Sequence, residues 1–112
     1  MMSFIPTSWA ILKIDSDDPH YRIFGSIVGG YLNGDSWKVN SGIVSVTEDD
    51  NYYYFNGHSG SVYQCHKKAY GSFTSYPQSV LSRYCETSEG KISCLIEIPD
   101  DLMSMDFILS SK

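Results

Sequence analysis

The side chains of this sequence that could do chemistry are three thiols, three imidazoles and several carboxylate pairs. Cys65 and His66 together supply the atoms of a thiol nucleophile and its base. In a strand, however, neighbouring side chains point to opposite faces, so these two cannot readily bind one metal ion, and Cys65 is more simply interpreted as part of one face of a strand. Cys85 and Cys94 are nine positions apart, and the chain has no C-x-x-C or H-x-x-x-H spacing. The sequence therefore predicts no metal and no cofactor, and it predicts that all three cysteines are reduced.

The carboxylate pairs are Asp17-Asp18, Asp49-Asp50 and Asp100-Asp101, and each lies beside a turn former or near the chain end. A glycosidase needs two carboxylates across a cleft, with one of them in an apolar pocket. A calcium loop needs spaced carboxylates followed by a late glutamate. Neither pattern is present, so the pairs are interpreted as solvated turns rather than as catalytic or metal-binding groups.

A third pattern combines aromatic rings with charge. Tyr52, Tyr53 and Tyr54 are consecutive and follow an acidic turn formed by Glu48, Asp49 and Asp50. No formally charged residue occurs from Asn51 to Gln64. Uncharged stretches rich in Tyr, Ser, Gly and Asn are typical of binding surfaces, and nearby carboxylates select a basic partner. The rings could equally fill a core, and that alternative stays open. The predicted partner-binding residues are Glu48, Asp49, Asp50, Tyr52, Tyr53 and Tyr54, with Asp15, Asp17 and Asp18 as a second choice.

Composition limits the class of protein. The chain has 112 residues, of which 42% are hydrophobic, so residues 1–112 are expected to form one domain with a real core. Eight basic residues stand against 13 acidic ones, a net charge of −5, which disfavours direct binding to nucleic acid or to a membrane surface. Pro6 and Ser8 interrupt the first apolar run, which therefore does not resemble a secretory signal. Small secreted domains usually have an even number of cysteines, whereas this chain has three. The odd number and the lack of a secretory signal together favour a cytoplasmic protein.

Closely spaced turn formers predict short antiparallel strands. Asn33-Gly34 is a strong hairpin signal, because both residues tolerate positive φ. Apolar residues at positions 80, 81, 84 and 85 have helical spacing and predict one main helix, from Pro77 to Thr87. The tail Leu102–Leu109 fits a strand or a helical turn. The predicted fold class is α+β, a curved antiparallel sheet of about six to seven strands with one main helix. The predicted strands are 9–14, 21–28, 37–39, 43–48, 52–55, 61–66 and 91–98.

The segments 29–42 (GGYLNGDSWKVNSG) and 59–66 (SGSVYQCH), together with size and acidity, carry a resemblance to a known class. The chain resembles small bacterial immunity proteins, including those of contact-dependent growth inhibition systems. The resemblance implies an inhibitor that binds a cognate toxin in the cytoplasm and has no activity as an enzyme. The implied partner is a nuclease toxin domain, whose basic active-site cleft an acidic surface would cover.

Two alternatives remain from other classes of protein. One is a small enzyme with a non-standard site built from His58, His66 or Cys65. A cavity that holds a histidine near a thiol or a carboxylate would favour it. The other is a structural β-domain that acts as a homodimer, which exposed apolar strand edges would favour.

Overall fold

The chain folds into two four-stranded sheets and one main helix, as a computed structural model that describes residues 3–30 and 34–104 shows. The fold class is α+β, as predicted. The strands are β1 (Ser3–Phe4), β2 (Ser8–Ile14), β3 (His20–Gly30), β4 (Gly34–Val39), β5 (Ile43–Glu48), β6 (Tyr52–Gly57), β7 (Val62–His66) and β8 (Ile92–Cys94). The helix α1 (Ser75–Glu86) lies between β7 and β8, and a short 3-10 helix (Leu102–Ser104) follows β8.

Short connections produce the antiparallel part of each sheet. In sheet A, with strand order β1-β7-β6-β5, the acidic turn joins β5 to β6, and a loop of four residues joins β6 to β7. In sheet B, with strand order β4-β3-β2-β8, the pairs β2–β3 and β3–β4 are also sequential and antiparallel. The two-residue strand β1 pairs parallel to β7, which is far away in the sequence.

Sheet B forms the middle of three layers. One of its faces packs against the inner face of sheet A, and the other face packs against α1. Alternation along β2 places Trp9 and Ile11 toward sheet A, whereas Ala10 and Leu12 point toward the helix. The helix contributes Leu81 to its side of the core. Within residues 3–30 and 34–104, therefore, no helix covers the outer face of sheet A.

A bend between β4 and β5 carries the chain from one sheet to the other. Asn40 is 3% exposed, and its Oδ1 accepts hydrogen bonds from the amides of Ile23, at 2.9 Å, and Gly42, at 3.3 Å. Gly42 has φ of 125°, a conformation that favours glycine over residues with a side chain. The segment 40–42 (NSG) is the corner that joins the two sheets.

Tyr70 lies between β7 and α1, outside the named strands, and it connects this segment to β2. Its hydroxyl accepts a hydrogen bond from the amide of Ile11, at 3.0 Å, and donates one to the carbonyl of Leu95, at 2.6 Å. The backbone beside it pairs with Trp9, through Trp9 N–H to Ala69 O and Gly71 N–H to Trp9 O. The edge of β2 is thus completed partly by a side chain.

The structure contains one strand that was not predicted, β1, and it differs from the predicted elements in three further respects. The strands divide into two sheets instead of forming one curved sheet, because the corner at Asn40 turns the chain out of sheet B. The strand predicted from Lys91 to Ile98 ends at Cys94, because the Tyr70 hydroxyl takes the next place along β2. The helix begins two residues earlier than predicted, at Ser75, and ends one residue earlier, at Glu86.

Two predictions fall at the limits of the described chain. For the Asn33-Gly34 turn, residue 33 lies outside the described residues, while Gly34 pairs with Gly30 across the β3–β4 hairpin. Of the tail, residues 102–104 form the 3-10 helix, and the rest lies outside the described residues. Across residues 3–30 and 34–104, no helix is both long and apolar enough to cross a membrane.

Candidate functional site

The outer face of sheet A carries the tyrosines that the sequence singled out. Because side chains alternate along a strand, Tyr53 points inward, and Tyr52 and Tyr54 point outward. The register aligns these two with His66 and Gln64 on β7 and, for Tyr54, with Thr47 on β5. We call this surface the tyrosine face. Its members are partly or fully exposed and carry no formal charge: Ser45, Thr47, Tyr52, Tyr54, Asn56, Gln64 and His66.

Contacts among these side chains hold the tyrosine face in place. The ring of Tyr52 lies 5.1 Å from the His66 ring, edge to face, and 6.3 Å from the Tyr54 ring, measured between centroids. The Nδ1 atom of His66 accepts the backbone N–H of Lys68 at 3.0 Å, which fixes the ring orientation. Asn56 donates to the Ser45 hydroxyl at 3.0 Å. The face is therefore ordered before any partner binds, which lowers the entropy cost of binding.

Tyr53 packs on the core side of sheet A, which is the alternative to surface binding that the sequence left open for the tyrosines. Its ring lies 6.0 Å from the buried ring of Trp9 and 6.1 Å from that of Phe55, at the inner face of sheet A. The Lys67 ammonium lies 5.0 Å from the centroid of the Tyr53 ring. The run of three tyrosines thus supplies both core packing and an outward surface. Of the three, Tyr53 belongs to the core side.

The acidic turn stands at one end of the tyrosine face, and its carboxylates differ in what they contact. Asp49 Oδ1 accepts the backbone N–H groups of Asn51, at 2.9 Å, and Tyr52, at 2.8 Å, and Oδ2 accepts the Tyr54 hydroxyl at 2.5 Å. The hydrogen bond from Tyr54 and the two backbone amides lower the pKa of Asp49 below its ordinary value. The same carboxylate raises the pKa of Tyr54. Asp49 therefore shapes the turn.

The other two carboxylates of the turn are differently placed. Glu48 forms an ion pair with Lys67, with Oε1 and Nζ 2.6 Å apart, and this hydrogen bond raises the pKa of Lys67. Asp50 is exposed and, among the described residues, has neither a hydrogen bond nor an ion pair through its side chain. Three carboxylates less one ammonium leave the turn with a charge of −2. Asp50 is the carboxylate most available to a cationic partner.

The second-choice acidic residues lie elsewhere. Asp15, Asp17 and Asp18 belong to the β2–β3 connection of sheet B, and within the described chain no hydrogen bond or ion pair joins them to the turn at Asp49. The amide of Asp15 donates to Lys91 O at 2.6 Å. The sequence grouped the two acidic segments by composition, and the structure does not bring them together.

Asp18 instead lines a cavity of about 340 Å³ where the ends of the two sheets meet, which we call the seam cavity. His20 and Arg22 from β3 and His58 from the β6–β7 loop also line it. The Arg22 Nε–H donates to Nε2 of His20 at 2.8 Å, and Nδ1 of His20 lies 2.6 Å from the Asp18 carbonyl. His20 thus orients the guanidinium of Arg22 through Nε2. Sequence reasoning did not place His58 beside His20 and Arg22, because the β6–β7 loop is distant from β3 in the sequence.

The thiols are sheltered. Cys65 is fully buried on the inner face of sheet A, opposite to His66, and burial raises its pKa far above the ordinary value. Burial also raises the pKa of Cys85, and that of Cys94 to about 11. All three cysteines are free in the structure. No group of three potential metal ligands occurs in the described part of the chain.

Sequence reasoning identified the tyrosines and the turn but missed their neighbours on β5 and β7. Gln64 and His66 could have been found from the two-residue alternation of β7 and the short loop that pairs it with β6. Lys67, which neutralises Glu48, follows β7 directly. The Asx-type turn at Asp49 could also have been found, since aspartate often bonds to backbone amides two residues on.

Comparisons with known proteins add nothing to this description of the site: no protein-family model matches the chain, and searches of curated proteins and of solved structures found no similar protein.

Proposed function

We propose that this chain is a protein-binding inhibitor that neutralises a nuclease-type toxin by covering the toxin's basic active-site cleft. The tyrosine face would provide the contact area, and the acidic turn would meet the cationic groups that normally hold substrate phosphates. The single observation that supports this proposal best is the outer face of sheet A, which is aromatic, uncharged and ordered, with free carboxylate charge at one end.

The energetics of such an interface follow from the two parts of the surface. Tyrosine rings bring large contact area with few rotatable bonds, and they are frequent among the residues that dominate binding energy. Carboxylates at the border steer a basic partner into place and raise the association rate. Asp49 links the two parts, because it accepts the hydroxyl of Tyr54. The resemblance to bacterial immunity proteins supports the same class of function.

The first experiment is growth rescue. We expect the cognate toxin to be encoded by a neighbouring gene. Bacteria that express that toxin domain should survive when this chain is co-expressed, and Tyr54→Ala should reduce the rescue. If Tyr54 is one of the hot-spot residues of the interface, its truncation should cost about 2 kcal/mol or more, which corresponds to a dissociation constant about 30-fold higher. A thermal melt of the variant checks that it still folds. Growth that is no better with the chain than without it would contradict the proposal.

The second experiment measures association kinetics with the purified toxin domain at two salt concentrations. Asp50→Lys should slow association several-fold at low salt and should weaken the salt dependence, because a steering charge is reversed. Asp100→Lys makes the same change in net charge at an exposed site outside the acidic turn and is the matched control. Equal association rates for the two variants would show that the acidic turn does not face the partner.

An acid–base enzyme is a second candidate, and the seam cavity favours it. His58 is exposed at the rim and could move a proton, while Arg22, held by His20, could bind an anionic substrate. Hydrolysis of bis-p-nitrophenyl phosphate and of p-nitrophenyl acetate would test it. Turnover that disappears in His58→Ala and persists in His66→Ala would support this candidate, and a lack of turnover on both substrates would count against it.

A further inference from the structure

A second groove lies on the helix layer, away from the tyrosine face. One wall is a single face of α1 and its C-terminal continuation, since the lining residues recur at intervals of three and four, and the other wall is Trp37 of β4. The groove has a volume of about 460 Å³. We call it the helix groove. Its lining residues are Trp37, Tyr76, Ser79, Val80, Arg83, Tyr84 and Thr87.

The aromatic wall of the helix groove is pre-formed. The ring of Trp37 meets that of Tyr84 edge to face at 6.0 Å, and on its core side it stacks on the buried ring of Phe24 at 5.7 Å. Tyr76 is 53% exposed and borders the same groove. An apolar side chain that enters here would meet rings already fixed by packing, so little ordering of the protein is needed.

Arg83 supplies a cation without an internal counter-ion. Among the described residues, its guanidinium forms no ion pair and no hydrogen bond, although the backbone carbonyl of Arg83 accepts from Thr87. Glu86, the acidic residue of α1, lines a different cavity on the opposite flank of the helix. A free guanidinium beside aromatic rings, in a chain of net charge −5, is placed to pair with a carboxylate.

The strand that borders the groove has an open edge. In the described chain, β4 pairs with β3 alone. Asn40 N–H donates to Ile23 O at 3.0 Å, and the alternation of an antiparallel ladder then turns the backbone groups of Lys38 toward β3 as well. The N–H and C=O groups of Trp37 and Val39 therefore face away from the sheet. They are available to one more strand.

From these observations we infer that the helix groove binds an extended peptide that carries an acidic residue. The peptide would add to sheet B beside β4, in the manner of strand addition to an exposed edge. An apolar side chain would lie against Trp37 and Tyr84, and the carboxylate would meet Arg83. This inference goes beyond the proposed function, because the helix groove lies on the helix layer and not on sheet A. It selects an acidic partner, whereas the acidic turn selects a basic one.

The test uses phage-displayed random octapeptides selected on the intact protein. Enriched peptides should combine an aromatic or aliphatic residue with aspartate or glutamate. Binding of a synthetic selected peptide can be followed by fluorescence, since Trp9 is fully buried in the core and Trp37 lines the groove. The backbone amide signals of Trp37 and Val39 should shift in NMR spectra on binding.

The variant Arg83→Glu should weaken binding of the acidic peptide about tenfold or more, because an attractive charge pair becomes repulsive. It should also bind a peptide in which lysine replaces the acidic residue better than wild type does. Lys91→Glu, an equal charge change at an exposed site, should leave binding unchanged. Tyr54→Ala should also leave it unchanged, and this separates the helix groove from the tyrosine face.

Three outcomes would overturn the inference. One is the absence of enriched peptides, and another is equal binding of the acidic peptide by wild type and Arg83→Glu. The third is a dimer in sedimentation experiments in which a second copy of the chain, and not a peptide, pairs with the open edge of β4 at Trp37 and Val39.

Discussion

Replacing Tyr70 with phenylalanine isolates one hydroxyl that holds three distant segments together. The hydroxyl accepts from Ile11 N–H at 3.0 Å and donates to Leu95 O at 2.6 Å. The ring lies 4.8 Å from that of Trp9, almost perpendicular to it, and Tyr70→Phe keeps this contact. The variant therefore removes the two hydrogen bonds while it leaves the ring packing unchanged.

The expected loss of stability follows from the two backbone groups left without a partner. A buried polar group that loses its hydrogen bond costs about 1–3 kcal/mol. Tyr70 and Leu95 also line an open cavity, so water can reach part of the vacated space, and the lower half of that range applies to each group. Two groups together give a loss of about 2–4 kcal/mol in the free energy of unfolding, which corresponds to a melting temperature lower by about 8–16 °C in a domain of this size.

The measurement is thermal and urea unfolding of wild type and Tyr70→Phe. Tyr76→Phe is the matched control, because the Tyr76 ring is 53% exposed and, within the described residues, its hydroxyl has no hydrogen bond. The control should change stability by no more than about 0.5 kcal/mol. A Tyr70→Phe variant as stable as the control would refute the reasoning that this hydroxyl completes the edge of β2.

Three further predictions concern the turn, the core thiol and a close approach of the backbone. Folding lowers the pKa of Asp49, so its contribution to stability is present above the ordinary pKa of 3.8 and disappears as the pH falls through the lower pKa of the folded state. The melting temperatures of wild type and Asp49→Asn, measured between about pH 5 and about pH 2, should therefore converge as the pH falls. A constant difference between the two melting temperatures would contradict this. Cys65 should not react with a thiol reagent until the protein unfolds, when all three cysteines react without reductant and no zinc is released; fewer thiols or stoichiometric zinc would contradict it. Gly25→Ala should destabilise the protein by about 1–3 kcal/mol in urea unfolding, because a Cβ there would lie 2.9 Å from both Phe4 and Pro6; wild-type stability would show that this contact relaxes easily.

Local sequence signals predicted most of the elements. Turn formers predicted the bounds of β5 without error, and apolar spacing together with Pro77 predicted α1 to within two residues at each end. The three consecutive tyrosines required at least one ring on each face, and the structure places Tyr53 inside with Tyr52 and Tyr54 outside. Alternation alone did not decide which face was which, because Tyr suits a core and a surface equally well.

The assignment of strands to sheets could not be predicted from such signals. The pairing of Phe4 with Tyr63, and that of Trp9 with Tyr70, joins residues about 60 positions apart. No turn or periodicity marks such pairs, since what selects them is the packing of the whole core. The seam cavity and the helix groove depend on the same long-range geometry. For this reason Arg22 and Arg83 did not stand out in the sequence.

The N-terminal segment has a consequence for the order of folding during synthesis. Residues 3–14 supply a strand to each sheet, and β2 can pair with β3 as soon as the first hairpin has left the ribosome. The opposite side of β2 must wait for Tyr70 and then β8, and β1 must wait for β7. Contacts of such large sequence separation form slowly, because a long loop has to close first. We therefore expect a nascent chain that stops before β7 to expose the apolar side chains of β2, and to need chaperone protection until β7, α1 and β8 have been made.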